Sequence, residues 1–134
     1  MENQTKKEIF VVAGIIEYED KILCMKRDVG KCKEASLKWE FPGGKIESGE
    51  TKEQALKREL QEEMEMDVEI ENHLCDVRYE YPEFIVNMYC FNCRALSKRF
   101  VMNVHVGSLW LKKEELNTID WAPADRPVVE KVLA

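Results

Sequence analysis

The chain has 134 residues, 45% of them hydrophobic, with 20 lysines and arginines against 26 aspartates and glutamates, for a net charge of −6. That length and composition predict one globular domain over residues 1–134. They exclude a disordered chain and a non-specific binder of nucleic-acid polymers, which needs a basic face.

The longest apolar run, around Ile9–Ile16, is far short of the ~20 residues that span a bilayer, so no membrane partner is expected. Glu2 and Glu8 among Lys6 and Lys7 do not resemble a secretion signal, and a cytoplasmic location is expected. Ile9–Tyr18 and Lys21–Arg27 read as two strands joined by a Glu19-Asp20 turn. Asp28–Lys38 is polar and aperiodic and reads as a loop. Trp39-Glu40-Phe41 then runs into Pro42-Gly43-Gly44, where the backbone must turn sharply or approach something closely.

Thr51 to about Glu65 is the best helix. Thr51 and Gln54 make a capping-box pair, and Leu56, Leu60 and Met64 recur every fourth residue as one apolar stripe. Asp67–Glu71, His73–Tyr81, Phe84–Leu96 and Val104–Leu111 read as further strands, and Ala124–Leu133 as a closing helix. Strands on both sides of a helix predict an α/β or α+β sandwich. Five cysteines (Cys24, Cys32, Cys75, Cys90, Cys93) at irregular spacings are no disulfide framework and read as core thiols.

Glu59, Glu62 and Glu63 stand at i, i+3 and i+4 of the central helix, so their carboxylates share one face. A charge run of this kind usually faces water. Here a hard cation would remove the mutual repulsion. Magnesium takes oxygen ligands and shares its shell with substrate phosphates, and the glycine turn before the helix can add backbone carbonyls.

Gly44, Glu50 after five residues, Arg58-Glu59-Leu60 after seven more, then Glu62-Glu63 and Met66 together resemble the Nudix box, Gly-x5-Glu-x7-Arg-Glu-U-x-Glu-Glu-x-Gly-U with U aliphatic. Trp39–Glu47, the Tyr79–Pro82 turn and the closing Ala122-Pro123-Ala124-Asp125 are similar to the MutT-like branch of that family. The resemblance implies a Nudix-type α/β/α sandwich with a mixed sheet and a catalytic loop-helix-loop. It implies hydrolysis of a nucleoside triphosphate to the monophosphate and pyrophosphate, on a cytidine-type or oxidised-purine nucleotide. The cofactor would be magnesium, with manganese as a substitute, and the partner a small-molecule nucleotide bound by a monomer or weak homodimer.

The same resemblance implies metal ligands at Glu59, Glu62 and Glu63, assisted by Gly43 or Gly44. The water-activating base would be one of these glutamates or Glu50, with Arg58 holding a box carboxylate by a bidentate pair. Lys45 would meet a phosphate, and Lys26, Arg27, Phe41 and Asp125 would bind the nucleoside. Asp125 could instead be a helix N-cap. His73 and His105 read as ordinary strand residues, and Trp110 and Trp121 as core or rim aromatics.

Two positions depart from the pattern. Glu65 replaces the last box glycine, which predicts a longer or differently ended helix. Where relatives often carry a fourth acid, this chain has Val104, His105 and Val106. The competing readings are an ADP-ribose or nucleotide-sugar pyrophosphatase, and a degenerate Nudix domain that binds a nucleotide without turnover.

Overall fold

The computed structural model describes residues 6–134; the N-terminal charge pattern that includes Glu2, and the start of the domain at residue 1, lie outside the described residues. β1 (Lys7–Tyr18) and β2 (Lys21–Lys26) form a hairpin whose two turn residues, Glu19 and Asp20, have φ of 50° and 68°. Positive φ at both central positions gives the turn the twist of the strands it joins. β3 (Trp39–Glu40) and β4 (Gly43–Lys45) follow, then α1 (Lys52–Met64), β5 (Val68–Glu80), β6 (Phe84–Ala95), β7 (Gly107–Leu111), a 3₁₀ turn at Lys113–Thr118 and α2 (Arg126–Leu133).

The strands make one mixed sheet in the order β3-β2-β1-β6-β5, with β4 added to β1 and β7 to β2. β1 and β6 run parallel from Lys7↔Phe84 to Glu17↔Arg94, and the other pairs are antiparallel. Both faces are covered, which explains why the middle of β1 is apolar without a break. Val12 and Ile16 face a core shared with Leu56, Leu60 and Met64 of α1. Ala13 and Ile15 face a second core shared with Val128 and Val129 of α2. Burying each large side chain of the α1 stripe contributes roughly 1.5–3 kcal/mol. This is the expected α/β/α sandwich.

Three local expectations are corrected. The segments Asp67–Glu71 and His73–Tyr81 are a single strand, β5, whose register slips between Ile70 and Asn72 and again between His73 and Cys75. Bulges of this kind break the alternation that a sequence reading relies on. Residues 104–106 precede β7 and are not part of it. Glu65 does not lengthen α1. It takes the left-handed conformation of the glycine it replaces (φ 50°, ψ 45°), donates its N–H to Gln61 O, and is followed by Met66 N–H bonded to Leu60 O. The helix ends by the glycine's geometry without the glycine.

The thiols are free; Cys24, Cys90 and Cys93 are buried as expected of core cysteines, whereas Cys32 and Cys75 are only half-buried. Cys90 and Cys93, three apart on β6, fall on opposite faces of the sheet and lie in different cores, so they cannot pair as ligands. No helix of the described residues is long and apolar enough to cross a membrane.

Candidate active site

β1 bonds to β4 along one part of its edge and to β2 only at its tip, through Glu17↔Ile22 and Tyr18↔Lys21. The sheet therefore opens between β4 and β2. A cleft of about 660 Å³ lies there, walled by residues from β1, the β3–β4 segment, α1, β6 and the loop before α2. One end is acidic and the other apolar.

At the acidic end the glycines are required by close approach. A Cβ on Gly43 would sit 1.9 Å from Val12 O in the β1–β4 ladder, and one on Gly44 would sit 2.3 Å from Glu59 Oε1. The Glu59 carboxylate thus lies directly on the Gly44 backbone. Glu63 stands one turn further along α1, in the same wall. Burial raises its carboxyl to about 8, helped by the hydrogen bond and charge of Glu59 and then by the charges of Glu40 and Glu62.

Arg58 ties this end together. It grips Glu50 through two bonds (Nε–Oε2 2.5 Å, Nη2–Oε1 3.0 Å) and donates to Lys45 O at 2.9 Å. Its Nη1 reaches Glu59 and Glu62, each at 3.1 Å. Glu50 also accepts the N–H of Glu47. These bonds hold the Glu50 carboxyl below the usual range, Arg58 being the largest cause. One guanidinium thereby joins strand end, loop and helix.

Glu62 does not share the cleft wall with Glu59 and Glu63. Its side chain is 60% exposed and held by Arg58, its i−4 neighbour, on the outer side of the helix. Lys26 likewise does not line the cleft; its stem lies over Gly107, its cross-strand partner in β7. Lys45 and Arg27 do line it.

The apolar end is formed by Ile9, Val11, Val86, Met88 and Tyr81, with Asp125 buried at its base. Asp125 precedes α2 in the N-cap position but makes no side-chain cap. Its Oδ2 instead accepts the Phe41 N–H at 3.0 Å. Burial, then the charge of Glu40, raises its carboxyl well above the usual range, against the Phe41 N–H and Arg27, which lower it. Phe41 is buried and stacks on Trp121, whose Nε1 donates to Leu116 O, so both rings are core. Tyr81 OH accepts the Ala124 N–H, joining the β5–β6 turn to the segment that carries Asp125.

Between the two ends stands a group that sequence reasoning missed. Glu40 accepts from Arg27 Nη1 at Oε1 and bonds His105 Nε2 at Oε2, both at 2.9 Å. His105 is buried and lines the cleft, where an ordinary strand histidine was expected. The available signal was slight: a lone polar residue between Val104 and Val106, and a glutamate between two aromatics.

A cleft with a carboxylate pair against a glycine strand, opening into an apolar pocket, belongs to an enzyme that handles a charged head joined to an apolar body. Residues 11–131 match the Nudix domain, and the chain belongs to the Nudix hydrolase family. It is similar to the CTP pyrophosphohydrolase of Escherichia coli, with 34% identity over 96% of this chain and 93% of the relative. It is also similar to that organism's 8-oxo-dGTP diphosphatase, with 32% identity over 94% and 97%. Among solved structures, the Escherichia coli ORF135 protein matches with a TM-score of 0.79 and 30% identity over 96% of this chain and 90% of that one. MutT from methicillin-resistant Staphylococcus aureus 252 matches at 0.70 with 36% identity over 96% and 98%.

Proposed function

We propose that the chain hydrolyses a nucleoside triphosphate to the monophosphate and pyrophosphate with magnesium, acting on a cytidine-type or oxidised-purine nucleotide as a cytoplasmic monomer or weak homodimer. The observation that carries this reading is the joining, in one cleft, of the Glu59–Glu63 pair on Gly44 with an apolar pocket floored by Asp125. The named activities of the relatives support it.

Among the described residues, no three carboxylate, imidazole or thiol side chains already form a metal cage. The donor chemistry nevertheless fits magnesium. Glu59 and Glu63 offer hard oxygens, and the Glu63 carboxyl is raised first by burial and then by the neighbouring Glu59, a setting that a bound cation would offset. Glu59 and Glu63 would hold the ion, with Glu62, which gives only Oε1 to Arg58, able to join through its other oxygen. When bound, magnesium supplies charge neutralisation for the phosphates and a more acidic attacking water.

The chain's own residues do the rest. Arg58 and Glu50 fix the strand end, loop and helix that set Glu59 on Gly44. Glu50 is a positioning carboxylate here, because its oxygens are committed to Arg58; the base is then drawn from Glu59 and Glu63. Lys45 meets the phosphate chain.

Burial raises the Asp125 carboxyl, and in its protonated form it would both donate and accept hydrogen bonds, unlike the pure acceptor that an ionised aspartate is. A carboxylic acid complements the N3 acceptor and N4 amine of cytosine. It also complements the O6 acceptor and N7–H of an 8-oxoguanine, whereas guanine offers two acceptors there.

The test is a panel of normal, methylated and oxidised nucleotides assayed with magnesium for pyrophosphate release. CTP should be preferred over UTP, or 8-oxo-dGTP over dGTP, and Glu59→Gln should lower turnover of each by roughly 10³-fold. Absence of magnesium-dependent turnover on any triphosphate would overturn the reading.

A further inference from the structure

We propose that His105 is a positioning residue for Glu40, and through it for the stretch of cleft wall that joins the phosphate end to the nucleoside end. For its kinetic readout the inference rests on the pyrophosphohydrolase reading above.

Glu40 shares the cleft wall with Glu63 and Asp125, and its charge raises the carboxyl of each. Negative charge on any one of the three disfavours it on the others, so Glu40 stays ionised in this wall only with donors on its oxygens. Two donors hold it in place: Arg27 on Oε1 and His105 on Oε2. Since a carboxylate only accepts, Nε2 of His105 carries a ring hydrogen in this bond. Nδ1 is buried and has no partner among the described residues. The bond to Glu40 is therefore the one polar anchor this side chain has within them, and the side chain is 3% exposed.

His105 reaches Glu40 because its loop is tied to α1. Val101 N–H bonds Met64 O, Asn103 N–H bonds Glu63 O, and Asn103 Nδ2 bonds Glu62 O. Val106 N–H then bonds Lys26 O, next to Arg27. These bonds satisfy carbonyls that the end of a helix otherwise leaves open. The loop that caps the glutamate-bearing helix thus delivers the histidine that holds Glu40, so the position of Glu40 is set relative to Glu63. Val104 is exposed here, and its neighbour His105 turns inward to act on an acid from β3.

The test combines a double-mutant cycle with a spectrum. His105→Leu should lower kcat/KM for the preferred triphosphate about tenfold. His105→Gln, whose terminal amide can donate where Nε2 does, should recover most of that loss. In a Glu40→Ala background, His105→Leu should cost less than a further twofold. A His105→Leu enzyme within twofold of wild type, or an equal fold-loss with and without Glu40, would overturn the proposal.

Long-range proton–nitrogen spectra need no nucleotide. His105, distinguished from His73 by a His73→Gln variant, should carry its hydrogen on Nε2, and Glu40→Ala should abolish that preference. A wild type with its ring hydrogen on Nδ1 and none on Nε2 would also overturn the proposal. Should the wild type turn over no triphosphate, the proposed function falls. The same cycle, read on Kd for α,β-methylene-CTP with the same thresholds, then decides the role of His105.

Discussion

At the acidic end of the cleft every carboxylate comes from residues 40–63, most of them on one loop and one helix, and their spacing is set by helical geometry and by one arginine. At the apolar end Ile9, Tyr81, Val86 and Asp125 come from four separate places in the chain. The acidic end carries crowded charge that a cation would relieve. The apolar end carries a single buried carboxyl whose protonated form burial favours. One end is suited to chemistry common to many phosphorylated substrates, and the other to choosing among them. Substitutions at the two ends should therefore differ in kind: loss of kcat whatever the base, against loss of preference.

The largest effect is expected from Glu59→Gln, which removes the charge lying on Gly44. A lost metal ligand is worth several kcal/mol of transition-state stabilisation, so kcat should fall roughly 10³-fold for every triphosphate. Gly44→Ala tests the same end without touching a carboxylate. Its Cβ would come 2.3 Å from Glu59 Oε1, and a displacement of about 1 Å costs on the order of 10² in kcat. Steady-state kinetics on two different bases check both. A loss confined to one base would break the division between the ends.

At the other end, Asp125→Ala should reduce the preference between CTP and UTP, or between 8-oxo-dGTP and dGTP, by about 10–100-fold. Asp125→Asn, which still donates and accepts, should keep it within a few-fold. The pair also carries a pH signature. The folded carboxyl of Asp125 is raised, through burial and Glu40 and despite Arg27 and the Phe41 N–H. Its contribution to stability is full below the ordinary range near 3.8 and is lost as pH rises through the raised value. The Asn variant lacks that loss, so its Tm should gain on wild type as pH increases. Melting curves across pH check this, and parallel curves would show that Asp125 titrates normally.

The contrast between the ends also explains what could be read before the fold was known. Glu59, Glu63, Arg58 and Glu50 lie within one segment, where the 3.6-residue period and the capping box at Thr51 relate sequence distance to space. The sandwich was legible for the same reason: long strands and a clean apolar stripe. Periodicity puts Glu62 on a shared face but does not say which neighbour bonds it, and in the structure Arg58 takes one of its oxygens. The Glu40–His105 bond spans 65 residues and the Ala124–Tyr81 bond 43. Such contacts depend on strand order, which no local pattern contains. Asp125 fitted a helix N-cap by residue type, yet the backbone N–H it satisfies belongs to Phe41, 84 residues earlier.

The smallest predicted effect concerns the end of α1. Glu65 occupies a left-handed conformation that costs a non-glycine residue about 1 kcal/mol or more. It also places a negative charge at the negative end of the helix dipole, an unfavourable term of about 0.3–1 kcal/mol. Glu65→Gly relieves both, and the gain should exceed the backbone entropy that glycine adds to the unfolded chain. A net stabilisation of about 1 kcal/mol raises Tm by about 3–5 °C for a chain of this size. Glu65→Gln removes the charge alone and should shift Tm by no more than about a third of that. Turnover should not change in either variant, since Glu59 and Glu63 lie upstream and the helix end is held by Val101 and Asn103. Calorimetry with parallel kinetics separates the outcomes. A Glu65→Gly protein no more stable than wild type would mean that the loop capping the last turn, and not residue 65, determines where the helix ends.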